Sequence, residues 1–272
     1  MKPQRKEIRT FRRGRVNPRR EVARQLRIRT NLEKLYFRRL NSLFRRFVNV
    51  RAGLYREYGL YDTEVAQRSL AEELEPTTLA HYRRVFRTIY NSNNEIYDRG
   101  TKDEEIFVMG RSMDFEKLVN DYFRTRALIL AGISARIARR IDTVIKQGRA
   151  DNLTLPQIAR EITSKVIPLT RSRAALIART ETHNAASFAS HQYHNQVRND
   201  LGIKMLKRWT ATNDARTRSA HSQANGQTVD MDEKFTVGGA QMDFAGDPAG
   251  GAANTVNCRC VIIYVDEDDI IE

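Results

Sequence analysis

Apolar residues recur every three or four positions through much of the first 200 residues, which is the spacing of one face of an α-helix. Between about residues 21 and 58 this stripe is interleaved with arginines, and it predicts a long, basic, amphipathic helix. Two more helical stretches are predicted at about 62–75 and 77–98. They are divided at Pro76, because proline inside a helical pattern usually ends or kinks the helix.

The pattern is clearest between Thr125 and Gln147, where one apolar stripe predicts a helix that faces a core. Thr154-Leu-Pro-Gln157 has the form of a capping box and predicts a short helix to about Lys165. Pro168 is expected to close that connection. A last long helix is predicted from about Arg171 to Val197, packed on the sheet that follows.

After Gly202 short apolar stretches alternate with Gly, Asp and Asn, which is typical of short antiparallel strands joined by loops. Strands are predicted at Lys204–Ala211, Thr228–Val229, Phe235–Val237 and Cys260–Val265. The glycine-rich stretch from Gly238 to Asn254 is expected to be a long loop. The predicted fold class is therefore α+β, with long N-terminal helices followed by a small antiparallel-sheet C-terminal domain.

The chain has 272 residues and 40% apolar residues, which suffices for a hydrophobic core. Its expected organisation is a basic flexible arm over residues 1–20, a helical docking region over 21–124, a C-terminal domain over 125–265 and an acidic tail over 266–272. No apolar run is long enough to cross a bilayer, and the N-terminus lacks the apolar core of a signal peptide. We therefore expect a soluble protein of the cytoplasm of the cell that produces it, with no membrane partner.

The formal net charge of +14 is concentrated at the N-terminus. The first 60 residues hold 19 Lys and Arg against four acids, whereas the rest of the chain is nearly neutral. Such an arm suits a polyanionic partner, and we expect it to contact the phosphates of nucleic acid without reading sequence. The candidate DNA-binding residues are Arg5, Lys6, Arg9, Arg12, Arg13, Arg15, Arg19 and Arg20.

Cys258 and Cys260 stand one residue apart, so a disulfide between them would be strained and two thiols are expected. With His221 and Asp214 they could complete a tetrahedral Zn²⁺ site, since zinc prefers Cys sulfur, His nitrogen and sometimes Asp oxygen. The alternative is a metal-free, hydrogen-bonded knot of the same residues. In both cases His221, Cys258 and Cys260 are expected to converge and to fasten the end of the small domain.

On a helical wheel Glu181 lies at the centre of an alanine-lined face, where an unpaired carboxylate would be costly to bury. We expect a cationic partner from the sheet region, the candidates being Arg208, Arg216 and Arg218. A catalytic acid is the alternative. The neighbouring His183, His191 and His194 fall outside this face and are expected to be solvated or to lie at an interface.

Several short motifs follow one another in a fixed order in the C-terminal half. They are Arg179-Thr-Glu181, Lys207-Arg-Trp209, Asp214-Ala-Arg-Thr-Arg218 with His221, Asn225-Gly-Gln-Thr-Val229, Phe235, Asp247-Pro248 and Asn257-Cys-Arg-Cys260. In order and spacing they resemble the phage Mu F-like head morphogenesis family over roughly residues 125–265. The residues that carry the resemblance are Arg179, Glu181, Trp209, Asp214, Arg216, Arg218, His221, Gly226, Gln227 and Asn257.

This resemblance implies a minor head protein of a tailed bacteriophage, present in few copies at the portal vertex and in the capsid interior of the virion. It implies a role in head assembly or in DNA packaging or ejection. The partners implied are the portal protein, the major capsid or scaffold protein, and packaged double-stranded DNA. A structural component rather than an enzyme is expected.

Two other function classes stay open. A DNA-binding hydrolase or nuclease-type effector could use Asp214 and His221, with Glu181 as a further acid, and would suit a basic arm. The sequence has no phosphate-binding glycine loop, no nucleophile elbow and no H-E-x-x-H pair to support it. A general DNA-binding protein is the third class, although no recognition module is evident.

Overall fold

A computed structural model describes residues 17–98 and 114–266 of the chain and shows an α+β protein. The long helices are α1 (Pro18–Tyr58), α2 (Thr63–Asp98), α3 (Phe115–Ala150) and α4 (Leu155–Leu201). After them come β1 (Met205–Thr210), α5 (Ser219–Gln223), β2 (Thr228–Asp230), β3 (Phe235–Val237), β4 (Ala240–Met242), α6 (Gly251–Thr255) and β5 (Val261–Asp266). None of the helices within the described ranges combines the length and the apolar character that crossing a membrane requires.

Helices α2 and α4 run through the two prolines at which breaks were predicted, so that prediction was wrong at both. Pro76 and Pro168 both lie on exposed faces. In α2 the buried stripe continues past the proline, and the hydroxyl of Thr78 donates to the Leu74 carbonyl oxygen at 2.8 Å. A proline costs a helix one hydrogen bond, and continued burial of the opposite face offsets that cost.

The helix starts agree better with the sequence signals. The backbone N–H of Arg20 donates to the side-chain oxygen of Asn17 at 3.1 Å, which makes Asn17 a capping residue for α1. At the start of α4 the Gln157 side-chain oxygen accepts from the Thr154 N–H at 2.8 Å. A capping box has two hydrogen bonds, and this one, from the backbone of the first residue to the side chain of the fourth, is confirmed at Thr154–Gln157.

The described chain divides into two compact units, each assembled from separate stretches of sequence. The helical unit contains residues 32–83 and 115–181. Its core is one cluster of buried apolar side chains from all four long helices, and it includes the predicted stripe of α3, namely Leu130, Ile133, Ile137, Ile141 and Val144. This confirms that the α3 stripe faces a core.

The mixed unit comprises the described parts of residues 1–31, 84–114 and 182–272. It holds a three-stranded antiparallel sheet in the order β2-β1-β5 and the separate β3-β4 hairpin. In the sheet Trp209 of β1 lies opposite Ile262 of β5. The rings of His194 on α4 and Tyr264 on β5 stack with centroids 4.0 Å apart, so this helix packs on the sheet as predicted.

The stretch 238–254 is more ordered than the long loop that was predicted. Gly238 and Gly239 have positive φ of 56° and 80° and turn the chain from β3 into β4. Asp247 then accepts from the backbone N–H groups of Asp243 and Ala249 at 2.7 and 2.9 Å. A 3₁₀ turn (Pro248–Gly250) and α6 follow, because the carboxylate satisfies backbone donors that an open loop would leave to solvent.

Candidate functional site

Three side chains with metal-ligand chemistry meet in the mixed unit: His221, Cys258 and Cys260, called here the sulfur cluster. The His221 Nδ1 atom lies 3.3 Å from Cys260 Sγ and 3.6 Å from Cys258 Sγ. One ligand atom from each of the three residues lies within 4.8 Å of the others, and all three residues are buried. Both cysteines are free thiols. The structure thus brings together the three residues that were predicted from the sequence to converge.

The local fold explains this convergence. His221 lies on the short helix α5, whereas the cysteines lie on the segment that leads from α6 into β5. The guanidinium of Arg218, at the start of α5, donates to the Val256 carbonyl oxygen and so ties the two segments together. Trp209 of β1 is fully buried beside them, with its ring centroid 5.7 Å from that of His221.

The N-terminal turns of α1 add a buried arginine to the same region. Arg29 donates to the Cys260 carbonyl oxygen at 3.2 Å, and its Nη1 lies 3.0 Å from Nδ1 of His183 on α4. Burial lowers the pKa of Arg29 to about 10, so this guanidinium stays charged at neutral pH. Burial also lowers the pKa of His183, which keeps its imidazole neutral. The sulfur cluster therefore has a fixed positive charge as a neighbour.

The two thiols titrate as a pair because each can hydrogen-bond the other. The hydrogen bond with Cys260 lowers the pKa of Cys258 well below its ordinary value, with His183 and His221 as further causes. The same hydrogen bond, together with burial, raises the pKa of Cys260. The hydrogen bond between them therefore shifts the pKa values of the two thiols in opposite directions.

Asp214 was expected as a further metal ligand, but the structure gives it another role. Its carboxylate pairs with the guanidinium of Arg259, which donates to Asp214 Oδ1 at 2.6 Å and also to Oδ2. The Arg259 hydrogen bonds lower the pKa of Asp214. Among the described residues the metal-type group contains His221 and the two cysteines without Asp214. Asp214 instead links its own turn to the Cys-x-Cys segment.

The Asn225-Gly-Gln turn also serves the fold. Gly226 adopts φ of 87°, and its N–H donates to the Trp209 carbonyl oxygen at 2.8 Å. The side chain of Gln227 bonds both backbone groups of Thr236, accepting from its N–H at 3.0 Å and donating to its carbonyl at 2.9 Å. The turn therefore joins the end of β1 to β3.

In the helical unit Glu181 is buried, as predicted, but its partner is not one of the sheet arginines Arg208, Arg216 or Arg218. Arg126 of α3 forms a two-pronged ion pair with it, donating from Nε at 3.0 Å and from Nη2 at 2.7 Å. Tyr82 of α2 donates a third hydrogen bond at 2.5 Å. Burial disfavours the charged form of Arg126, but the bonds to Glu181 outweigh it and raise the pKa of that arginine. The predicted partner was wrong because Arg126 lies on another helix, 55 residues before Glu181, and the sequence alone does not show that the two helices bring these residues together.

The remaining motif residues belong neither to the sulfur cluster nor to the Glu181–Arg126 ion pair. Arg179 donates to the Glu33 carboxylate at 3.2 Å, and Arg216 has an exposed side chain near Asp214. Asn257 has a positive φ of 57° immediately before the first cysteine. In the arm, Arg5, Lys6, Arg9, Arg12, Arg13 and Arg15 lie outside the described residues. Arg19 and Arg20 are exposed in the first turn of α1.

Sequence reasoning missed three buried polar side chains. His183 and His194 are buried rather than solvated, because α4 is enclosed on all sides from residue 180 to residue 187 and nearly so beyond. The run of small residues there was the available signal. Lys207 of β1 is fully buried, and its ammonium donates to the Asp243 carbonyl oxygen at 3.0 Å. The strict alternation of burial along β1 places Lys207 on the same face as Trp209.

Comparison with known proteins gives this arrangement a context. Residues 137–263 match the family described as Phage Mu protein F like protein. A segment of 131 residues is 34% identical to the NAD(+)–arginine ADP-ribosyltransferase EFV of Enterococcus faecalis (strain ATCC 700802 / V583), covering 47% of this chain and 26% of that protein. A segment of 130 residues is 31% identical to the minor head protein GP7 of Bacillus phage SPP1, covering 48% of this chain and 41% of that protein.

The chain thus spans less than half the length of either of these curated relatives. No solved structure is significantly similar to it. The matched segment contains the sulfur cluster, the Asp214–Arg259 pair, the Asn225-Gly-Gln turn and Glu181. Residues 137–263 of this chain are therefore similar to the family described as Phage Mu protein F like protein.

Proposed function

We propose that this protein is a minor head protein of a tailed bacteriophage, located in the capsid interior near the portal, where it acts in head assembly or in DNA packaging or ejection. The observation that carries the proposal is the family match over residues 137–263 together with the similarity to a phage minor head protein. Its partners in this role are the portal protein, the major capsid or scaffold protein, and the packaged double-stranded DNA.

A structural rather than an enzymatic role is supported by what surrounds the candidate catalytic residues. Asp214 is held by Arg259, His221 contacts two sulfurs, and Glu181 is buried in an ion pair. The hydrolase alternative needs at least one of these groups to reach a substrate. The similarity to a protein named as a transferase covers only 26% of that protein, and a similarity of nearly the same length exists to a minor head protein.

For the contact with DNA, the helical unit offers a basic face on α1. Lys34, Arg38, Arg39 and Arg45 are exposed along about three turns of this helix. Arg38 and Arg45 also line a shallow groove with Asn41, Ser42 and Asn49, whose side chains can donate to phosphate oxygens. We propose that this face contacts DNA phosphates in addition to the basic arm.

For the contact with a protein partner, the same unit offers a groove of about 530 Å³. Its rim carries Arg136, Arg140 and Arg173, and its floor is apolar, with the half-exposed Leu169 among its members. An apolar floor with a basic rim suits an acidic amphipathic segment. We propose that a segment of the portal protein or of another head protein occupies it.

The assembly role predicts that virions made without this protein lack density inside the capsid at the portal vertex. Cryo-electron microscopy of particles made with and without the protein tests this directly.

The triple variant Arg136→Gln, Arg140→Gln, Arg173→Gln should enter particles at less than about a tenth of the normal amount, since a charged rim typically fixes register and partner choice. Quantitative immunoblotting of purified particles measures the amount.

A charge-matched control keeps this test specific. Arg68, Arg84 and Arg160 are exposed on other faces of the long helices, and their replacement by glutamine removes the same three charges. That control should enter particles normally. Equal reduction in both triple variants would count against the groove, and particles that keep their vertex density without the protein would count against the assembly role itself.

DNA binding by the α1 face predicts a strong dependence on salt. Removing one phosphate contact should reduce the slope of log affinity against log salt by about 0.9 on duplex DNA. The triple variant Arg38→Gln, Arg39→Gln, Arg45→Gln should therefore bind more weakly and with a slope flatter by about 2 to 3. Fluorescence anisotropy with duplexes of two unrelated sequences measures both quantities.

The same control triple variant, at Arg68, Arg84 and Arg160, should leave the slope near that of the wild type. Binding that does not respond to salt, or that differs strongly between the two duplexes, would contradict a phosphate contact. An unchanged slope in the α1 variant would exclude this face as the DNA-binding surface.

A further inference from the structure

We propose that the sulfur cluster is a zinc site in which Cys258, Cys260 and His221 are the protein ligands. The proposal is independent of the head-assembly role. It rests first on chemistry, because two thiols and an imidazole are donors that zinc prefers and all three side chains are buried together. The cysteines come from one segment and the histidine from another, so a metal would cross-link them.

The distances fit a tetrahedral centre. With zinc about 2.3 Å from sulfur and about 2.0 Å from nitrogen, tetrahedral angles place sulfur and nitrogen ligands about 3.5 Å apart. The His221 Nδ1 atom lies 3.3 Å from one sulfur and 3.6 Å from the other. Both sulfur–nitrogen separations are thus close to the value that a tetrahedral zinc site requires, and the ligand atoms of all three residues lie within 4.8 Å of one another.

His183 is the nearest further imidazole, but its hydrogen bonding gives it a different role. Its ring neighbours Cys258, and its Nδ1 lies 3.0 Å from Nη1 of Arg29. A guanidinium can only donate, so Nδ1 must accept and the proton of the neutral ring lies on Nε2. A zinc-bound Nε2 would force the proton onto Nδ1, against the N–H of Arg29. His183 is therefore a positioning residue beside Cys258 and not a ligand.

The surroundings suit a site with two thiolate ligands. Arg29 is buried beside the cluster, and Arg218 lies at the start of the helix that carries His221. These cations offset the negative charge that two thiolates bring to one zinc ion. Three protein ligands leave the fourth tetrahedral position to water, which distinguishes this centre from a closed four-ligand structural site.

The experiment measures zinc in the full chain. Protein produced with added zinc and purified without chelators is expected to contain about one equivalent by elemental mass spectrometry. The metal-free protein, titrated with Co²⁺, should develop the intense visible bands of tetrahedral cobalt and the near-ultraviolet band of thiolate-to-cobalt charge transfer. Since both measurements use the wild type, a variant that fails to fold cannot obscure them.

Variants then assign the ligands. Cys258→Ser, Cys260→Ser and His221→Ala are each expected to lower the zinc content to less than about a tenth of the wild-type value. His183→Gln should keep the metal, as should His191→Gln, which changes another histidine of α4 in the same way. Circular dichroism of each purified variant establishes that it is folded.

Each outcome is decisive for one part of the proposal. A wild-type protein with neither zinc nor a thiolate-to-cobalt band overturns it and leaves a metal-free thiol pair. Loss of zinc from His183→Gln but not from His191→Gln overturns the three-ligand assignment. Retention of zinc by the two serine variants would place the metal elsewhere.

Discussion

The change Glu181→Gln is expected to lower the free energy of unfolding by about 3 to 5 kcal/mol. The carboxylate is 2% exposed, and Arg126, its two-pronged partner, is 5% exposed. Glutamine has nearly the same shape but no charge, so the guanidinium would stay buried without a counter-charge. Tyr82 would also lose the charged acceptor of its hydroxyl. Urea denaturation followed by circular dichroism measures the decrease.

The pair Arg179–Glu33 provides the matched control, since it joins the same residue types in the same helical unit but with both side chains partly exposed. Glu33→Gln should cost less than about 1 kcal/mol because solvent screens the pair. In the double variant Arg126→Met, Glu181→Gln, part of the stability should be recovered, since no unpaired charge remains. Equal effects of Glu181→Gln and Glu33→Gln would contradict a buried, structure-holding pair.

The second large effect is expected at Gly246, in the mixed unit. Gly246 has a φ of 92°, a left-handed conformation that side chains with a Cβ rarely adopt. A Cβ added there would lie 2.3 Å from Asn184 Oδ1 and 3.1 Å from Cδ2 of His183. Gly246→Ala should therefore combine backbone strain with overpacking and destabilise the protein by about 2 to 5 kcal/mol.

Gly239 separates the two contributions. It also has a positive φ, 80°, but an added Cβ would meet nothing within 4 Å. Gly239→Ala should therefore show the backbone cost alone, about 1 to 2 kcal/mol. Thermal and urea denaturation of both variants give the comparison. If Gly246→Ala were no worse than Gly239→Ala, the close approach of this turn to α4 would be refuted.

The sequence determined the secondary structure wherever one periodic face was enough to specify it. The apolar stripe of α3 was visible because the side chains on one face of a helix repeat about every 3.6 residues. The motif order also identified the family resemblance. Local rules failed at Pro76 and Pro168, where burial of the opposite helix face offset the hydrogen bond that proline removes.

Only the tertiary structure decided which side chains pair with one another. The helical wheel placed Glu181 on a buried face but could not select Arg126 from the many arginines of the chain. Likewise the sequence suggested that His221 meets the Cys-x-Cys segment, but it could not show that Asp214 pairs with Arg259 or that His183 lies beside Cys258. Periodicity fixes which face of an element is buried, whereas the residue opposite it depends on how distant segments are brought together.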